Sequence, residues 1–221
     1  MPRLGPGARA EIGRAVLTAA DTVDTRLVQL RLKAFAATHA RYIAAQRAVA
    51  AAEDDLTAAA AVVRRCDAEQ DAAIDALARA LVLDRQPRAN PFRGFGVPSP
   101  AVLQRRAAAA EAKAIHKLVA AVQRIAGCAA STLEAAQAAD AAASALEEAL
   151  ASMLPVEAAL RTARRARDAV GQQWNRDRAA LKRRAQAAAD DGVPHLHAAL
   201  FPSVGRTSRK QRRQRGRGGP R

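Results

Sequence analysis

Large apolar residues recur at every seventh position through the first third of the chain. The members of this series are Val28, Phe35, Tyr42, Val49, Leu56, Val63 and Leu77, with only the polar Gln70 interrupting the spacing. Three residues after each position from Phe35 onward stands a small side chain: Thr38, Ala45, Ala52, Ala59, Cys66, Ala73 and Ala80. A strict seven-residue period with one large and one small position per repeat predicts a helix that packs closely on a partner helix, with a left-handed supercoil.

The first helix is expected to be long. Residues 8–86 contain no proline and a single glycine, Gly13, and alanine and arginine, which dominate the stretch, are strong helix formers. The alternative is a break where short acidic residues can act as N-caps, at Asp21-Thr22-Val23-Asp24 or at Asp54-Asp55. The segment PRANPFRGFGVPSP that follows carries four prolines and two glycines, which predicts a turn at residues 87–99.

A second heptad series follows the turn. Its two apolar positions are Ile115, Val122, Ala129, Ala136, Ala143 and Leu150, and Leu118, Ile125, Thr132, Ala139, Leu146 and Met153. The series predicts a helix over residues 100–154, begun by Ser99 and Pro100 as N-cap and first helical residue. Pro155 is expected to interrupt it, and a further helix is predicted over residues 156–191, ended by Gly192 and Pro194.

These elements predict an all-α fold. The preferred arrangement is a long antiparallel helical hairpin, or coiled coil, with an alanine-rich seam, in which folding near Arg93 sets Phe35 near Ala151 and Ile12 near Trp174. The alternative is a compact three- or four-helix bundle, in which Pro155 forms a real turn and the first helix breaks. Residues 8–191 are expected to form one helical domain, followed by a short connector at 192–204 and a disordered basic tail at 205–221.

Charge is distributed unevenly along this chain. There are 36 basic and 21 acidic residues, a formal net charge of +15. Residues 1–86 are nearly balanced, with 12 basic and 11 acidic groups, whereas residues 192–221 carry eight basic groups and no acid. Because arginine and lysine on a disordered tail contact phosphates without reading bases, we expect the tail to bind nucleic acid or another polyanion. The residues expected to make these contacts are Arg206, Arg209, Lys210, Arg212, Arg213, Arg215, Arg217 and Arg221.

This charge has two other interpretations. The chain has 31 arginines and five lysines, so coding bias in a GC-rich genome is one alternative, although the complete lack of acid in the tail favours function. The tail could also be attracted to an anionic membrane surface, but it lacks the aromatic residues that usually anchor a protein there. No apolar run has the length of a membrane span, and a cytoplasmic location is expected.

Candidate chemistry is sparse elsewhere. Cys66 and Cys128 are expected to be small, reduced core residues, and the pair His195 and His197 lacks a third metal ligand at suitable spacing. Phe92 and Phe95 are expected either to cap the end of the helical core or, if exposed, to form a hydrophobic docking tip. No paired acids, nucleophile and base, or metal cluster has a spacing that indicates catalysis, so no enzyme activity, cofactor or metal is expected.

Two classes of function follow from the sequence. The first is a non-enzymatic architectural protein, a helical rod whose arginine-rich tail binds nucleic acid or another polyanion without sequence specificity. The second is a structural, stalk or adaptor subunit of a larger protein assembly, which associates with a protein partner or with itself through the coil.

Overall fold

The computed structural model describes residues 5–188 and 190–202. Its α-helices are α1 (Pro6–Ala20), α2 (Gln29–Leu83), α3 (Pro100–Leu103), α4 (Ala108–Val122), α5 (Ala130–Ala187) and α6 (Leu196–Leu200), and short 3-10 segments lie at Arg26–Val28 and Arg93–Phe95. No β-strand occurs within the described ranges, so the all-α prediction is confirmed. Within these same residues, no helix combines the length and the apolar character needed to span a membrane.

The chain divides into two compact units. Unit 1 takes its described residues from 5–49, 163–188 and 190–202, and unit 2 consists of residues 50–162. The two long helices, α2 and α5, each contribute one segment to unit 1 and another to unit 2. The sequence predicted a single helical domain over 8–191, whereas the contacts separate that range into these two units.

The heptad series on α2 marks the side of the helix that packs. All fifteen positions of the two series, including Gln70 and including Val28 in the 3-10 segment just before α2, are buried or half-buried. On α5 the alanines Ala136, Ala139 and Ala143 are completely buried. Because alanine adds only a methyl group, it lets neighbouring helices approach closely while favouring helix formation. The prediction of an alanine-rich packing face is therefore confirmed.

Within unit 1 the segments of α2 and α5 run antiparallel. The guanidinium Nε of Arg184 donates a hydrogen bond to the backbone oxygen of Leu27 at 3.1 Å, near the start of the α2 segment. Further along α2, the hydroxyl of Thr38 donates to a carboxylate oxygen of Asp177 at 2.6 Å. Residue numbers therefore rise along α2 as they fall along α5.

The core of unit 1 is built around Trp174. Its ring is fully buried and lies 5.5 Å from the ring of Phe35 and 6.4 Å from that of Tyr42, centroid to centroid. The indole N–H donates a hydrogen bond to Nδ1 of His39 at 3.2 Å. The other buried apolar residues of this core are Val16, Ala20, Val28, Leu181, Ala185, Ala188, Leu196 and Leu200. Helices α1 and α6 contact each other and cover the aromatic cluster with their apolar faces.

Helix α1 packs tightly on α2 at Gly13. A Cβ added at Gly13 would overlap the imidazole ring of His39. That ring is itself fixed, since it accepts the hydrogen bond of Trp174 and stacks on Phe35 at 6.1 Å with an interplanar angle of 17°. The only glycine between residues 8 and 86 therefore stands where the packing leaves no room for a side chain.

Protonation of His39 is expected to change the fluorescence of Trp174, the single tryptophan of the chain. Burial, together with the charge of Arg14, lowers the pKa of His39 below its usual 6.5. Because a proton on Nδ1 removes the acceptor of the indole N–H, His39 contributes stability that is present above about pH 6.5 and is lost as the pH falls through its pKa in the folded protein. An acid titration of the emission should show a transition below pH 6.5 that His39→Gln lacks. A midpoint above 6.5, or the same transition in the variant, would contradict this.

Unit 2 also contains an antiparallel α2–α5 pair, to which α4 adds a third helix. The hydroxyl of Thr132 donates to the backbone oxygen of Ala80 at 3.4 Å, and the carboxylate of Asp84 accepts the backbone N–H of Ala129 at 3.2 Å, just before α5 begins. Helix α4 fills the core with Ala112, Ile115, Leu118, Val119 and Val122, against Ile74, Leu77 and Leu81 of α2.

The predicted register of the helical pair is wrong. Phe35 contacts Trp174, whereas the expected neighbour, Ala151, is exposed. The connection between the long helices is not the short turn at 87–99 but the whole of residues 84–129, which includes α3 and α4. Gly127 adopts a φ of +75° in this connection, a left-handed conformation that glycine tolerates without strain. The residues that face each other on α2 and α5 are consequently centred on a point near residue 106, and not near Arg93 as expected.

Two of the predicted helices are interrupted in the structure. The helix expected over 8–86 ends at Ala20 and resumes at Arg26, at the acidic site considered for a break. There Asp24 accepts hydrogen bonds from the backbone N–H and the guanidinium of Arg26. The helix expected over 100–154 is interrupted at residues 104–107 and 123–129.

Pro155 does not end a helix, contrary to expectation, but lies inside α5. A proline in a helix interior removes one backbone hydrogen bond and costs about 3 kcal/mol. The long alanine-rich stretches on both sides supply the helix propensity that offsets this cost. The alternative in which Pro155 forms a turn is therefore wrong.

Candidate polyanion-binding surface

Basic residues are concentrated in unit 1. Its described residues carry fifteen basic and seven acidic side chains, a formal net charge of +8. Unit 2 carries twelve basic and fourteen acidic side chains, a net charge of −2. Because helices α2 and α5 bury their apolar faces within each unit, most of the cations of unit 1 lie on exposed positions.

The α5 segment of unit 1 presents cations that no carboxylate neutralises. Arg165 and Arg183 are exposed, and neither has an ion-pair partner in the described part of the chain. Arg176 donates to the amide oxygen of Gln173 at 2.8 Å, a neutral acceptor that leaves its charge uncompensated. Arg184 differs, since its guanidinium lies 3.3 Å from a carboxylate oxygen of Asp191. This face therefore offers both free and paired cations to an anionic ligand.

A cleft between α1 and α2 adds cations and neutral hydrogen-bonding groups. It has a volume of about 580 Å³, and the basic residues Arg14 and Lys33 line it together with one carboxylate, Asp21. Its other polar lining residues are Thr18, Thr25, Gln29 and His39. Hydroxyl and amide groups beside two cations are typical of sites that contact phosphate and sugar.

Two other arginines of unit 1 are used in packing instead. The guanidinium of Arg178 lies 5.9 Å from the ring centre of Trp174 and 5.6 Å from that of Phe201. Burial lowers the pKa of Arg178, and its Nε lacks a hydrogen-bond partner in the described structure. Arg9 lies 5.8 Å from the ring centre of Tyr42. Cation–π contacts of this kind stabilise a partly desolvated guanidinium without an acid, so these two half-buried side chains pack against the aromatic core.

The residues predicted to bind polyanions lie outside the described residues. They are Arg206, Arg209, Lys210, Arg212, Arg213, Arg215, Arg217 and Arg221, and the described chain stops at residue 202, within unit 1. The binding prediction for these eight residues stays a prediction. The structure adds a second set of cations, on the unit from which that segment continues.

The interpretation of Phe92 and Phe95 as an exposed docking tip is wrong. Phe92 is completely buried, and Phe95 is half-buried and packs against the core of unit 2. The backbone N–H of Phe92 donates to the side chain of Asn90 at 3.0 Å. This contact and the 3-10 turn at Arg93–Phe95 direct the rings inward, as the core-capping alternative requires.

The described residues contain no group of three or more His, Cys, Asp or Glu side chains suited to hold a metal ion. His195 is exposed, whereas the ring of His197 lies 5.7 Å from that of Phe201. Cys66 and Cys128 are both free thiols. Burial, and then the neighbouring carboxylate of Asp84, raise the pKa of the Cys128 thiol.

Sequence inspection missed a buried acid in unit 2. Glu111 on α4 is 2% exposed and Gln70 on α2 is completely buried. Burial raises the pKa of Glu111 to about 7; Gln70 opposes the shift, and the charges of Asp71 and Asp67 add to it. Oε1 of Glu111 and both polar atoms of the Gln70 side chain lack hydrogen-bond partners in the described structure. The sequence did contain one signal for this buried polar pair, since Gln70 is the only polar residue in the series of large apolar residues on α2.

The chain matches no protein-family model. Neither the curated proteins nor the solved structures contain a match.

Proposed function

We propose that unit 1, together with the basic segment at residues 205–221, binds nucleic acid or another polyanion without sequence specificity. The observation that carries this proposal is the segregation of charge, with a net charge of +8 on the described part of unit 1 and −2 on unit 2. The eight cations of the C-terminal segment extend the same unit. The protein acts as an architectural binder and needs no catalytic group for this role.

The chemistry of these cations favours contacts to the backbone of a nucleic acid. Most of the described cations of unit 1 are exposed arginines, which can bind phosphate oxygens in a bidentate manner. Each phosphate that is neutralised releases condensed counterions, so the affinity falls steeply as salt rises. Contacts to phosphate position a protein but carry no base information, which is the basis for expecting similar binding to unrelated sequences.

Fluorescence anisotropy with two unrelated 20-base-pair duplexes tests the proposal. The full chain is expected to bind both with similar affinity, and each phosphate contact should contribute about −0.9 to the slope of log affinity against log salt. Deleting residues 205–221 should weaken binding and flatten that slope while leaving the helical circular-dichroism signal unchanged. Absence of binding at low salt, or a truncated chain that binds as tightly as the full chain, would contradict the proposal.

A matched pair of charge reversals tests the contribution of unit 1. Arg165→Glu with Arg183→Glu changes two exposed cations of unit 1 that lack ion-pair partners in the described structure, and Arg105→Glu with Arg124→Glu changes two exposed residues of unit 2. Both double variants alter the net charge equally. We expect roughly a tenfold or greater loss of affinity for the first pair and a much smaller loss for the second. Equal losses would show that only the total charge matters.

A structural or adaptor role is the second candidate. It is favoured by large apolar side chains that remain exposed, among them Leu30 at 79%, Leu83 at 85% and Leu154 at 65%. The heptad faces of α2 and α5 are already packed inside the two units, so an adaptor would use other surfaces than the expected coil seam. Ordered oligomers formed by a chain lacking residues 205–221, detected by analytical ultracentrifugation, would favour this second role.

A further inference from the structure

Unit 2 contains an open apolar cleft where α2 ends and α3 begins. It has a volume of about 600 Å³, and its apolar lining residues include Val82, Leu83, Pro91 and Pro100. Leu83 is 85% exposed, although it belongs to the last turn of α2. A leucine that remains in water beside a cavity of this size lacks a partner within the unit.

The rim of the cleft is positively charged. Arg79 and Arg88 line it, and none of its lining residues is acidic. Both arginines are exposed, and neither forms an ion pair within the ranges that the structure describes. Residues 79–106 contain six arginines and a single acid, Asp84, whose carboxylate accepts from the N–H of Ala129 and the thiol of Cys128. The surroundings of the cleft are thus basic in a unit whose net charge is negative.

The end of α2 carries another arginine in an unusual conformation. Arg85 has a φ of +68°, and its N–H and that of Gln86 bond back to Val82 and Leu81 in the pattern that closes a helix. Glycine is the residue that this left-handed position favours. An arginine there places a third cation two residues after Leu83.

We propose that this cleft binds an acidic amphipathic segment of a partner protein. The segment inserts a large apolar side chain beside Leu83, and its carboxylates pair with Arg79 and Arg88. The apolar side chain of the segment would bury apolar surface against the lining of the cleft. Its carboxylates would form charge-assisted hydrogen bonds with the two arginines, which have no ion-pair partner in the described structure. This interaction goes beyond the polyanion binding of unit 1 and does not depend on it.

The lining of the cleft disfavours other occupants. No aromatic ring lines it, although base stacking on aromatic side chains is the usual means of holding an unpaired nucleobase. The cleft is open, so a small molecule would not reach the extensive burial that typical ligand sites provide, whereas a peptide needs to bury only one face. The basic segment at residues 205–221 of this chain would be repelled by the arginines.

Selection of peptides from a phage-displayed library of random 12-residue sequences tests the proposal. The full chain serves as bait, and the enriched peptides are synthesised with a fluorescent label for anisotropy measurements. We expect a large apolar residue flanked by Asp or Glu to be enriched. Leu83→Asp should weaken binding of such a peptide at least tenfold, and Arg79→Glu with Arg88→Glu should weaken it and reduce its salt dependence.

Leu154→Asp is the matched control, since Leu154 is an exposed leucine of unit 2 that does not line the cleft. It should leave the peptide affinity unchanged, and melting curves should show that every variant folds. Failure to enrich an acidic motif, or equal binding to Leu83→Asp and the parent, would overturn the proposal. So would a dimer of the chain that Leu83→Asp dissociates and Leu154→Asp does not, because the cleft would then join two copies. A loss of duplex binding with the arginine reversals but not with Leu83→Asp would assign the rim to nucleic acid instead.

Discussion

Replacing Gly13 with alanine is expected to lower the free energy of unfolding by about 1–3 kcal/mol. The added methyl group would occupy the space of the His39 ring. That ring cannot turn away freely, because Nδ1 accepts the hydrogen bond of the Trp174 indole and the ring stacks on Phe35. Either α1 moves away from α2, or the Trp174–His39 bond breaks. Thermal or urea unfolding followed by circular dichroism measures the loss.

Gly7→Ala is the matched control for this substitution. Gly7 also lies in α1, and nothing lies within 4 Å of the position that its Cβ would occupy. Alanine there is expected to be neutral or to stabilise the protein by up to about 1 kcal/mol, since it favours the helix. A double variant that also carries His39→Ala should recover part of the loss caused by Gly13→Ala. Equal stabilities of the Gly13→Ala and Gly7→Ala proteins would show that α1 does not pack on His39.

Replacing Glu111 with glutamine is expected to stabilise the protein at pH 8 and to have little effect at pH 5. In the folded protein the pKa of Glu111 is raised from 4.5 to about 7, so the folded state binds a proton more tightly than the unfolded state. The stability that this group contributes is present below about pH 4.5 and is lost as the pH rises through 7. Between pH 5 and 8 the parent should lose about 2 kcal/mol at this site, a loss that the uncharged amide avoids.

Glu148→Gln provides the comparison for this prediction. Glu148 is an exposed residue of unit 2, and its replacement should change stability by less than about 0.5 kcal/mol at either pH. Urea unfolding of the parent and both variants at pH 5 and 8 gives the required differences. Because each comparison is made with the parent at the same pH, the titration of His39 cancels. A gain from Glu111→Gln that is the same at both pH values would mean that Glu111 is ionised, or neutral, throughout.

The packing faces of the long helices could be predicted because they are encoded locally. A seven-residue spacing places Phe35, Tyr42 and Val49 on one side of α2, whatever lies opposite them. The register could not be predicted in the same way, because it depends on the length of the connection. Gly127 and the short helix α4 lengthen that connection, and the apolar spacing of α4 continues the heptad series without a visible break.

The candidate binding surface was only partly accessible from the sequence. The cationic segment at 205–221 is evident from composition, but residues 1–86 taken together are nearly neutral. That balance conceals a basic stretch at 5–49 and an acidic one at 50–86, which the fold assigns to different units. The lack of room for a side chain at Gly13 was equally hidden, because the ring that causes it belongs to His39 on the next long helix, α2.

The discontinuity of unit 1 bears on how the protein is made. Residues 50–162 are complete on the ribosome before residue 163 is added, so unit 2 can begin to fold while half of unit 1 is still missing. Closing unit 1 around 113 unfolded residues carries a loop-closure entropy cost, which is reduced once those residues have folded. Until Trp174 is synthesised, Phe35 and Tyr42 lack the ring that buries them. The nascent chain therefore cannot bury these two aromatic side chains against Trp174 at any point during the synthesis of unit 2.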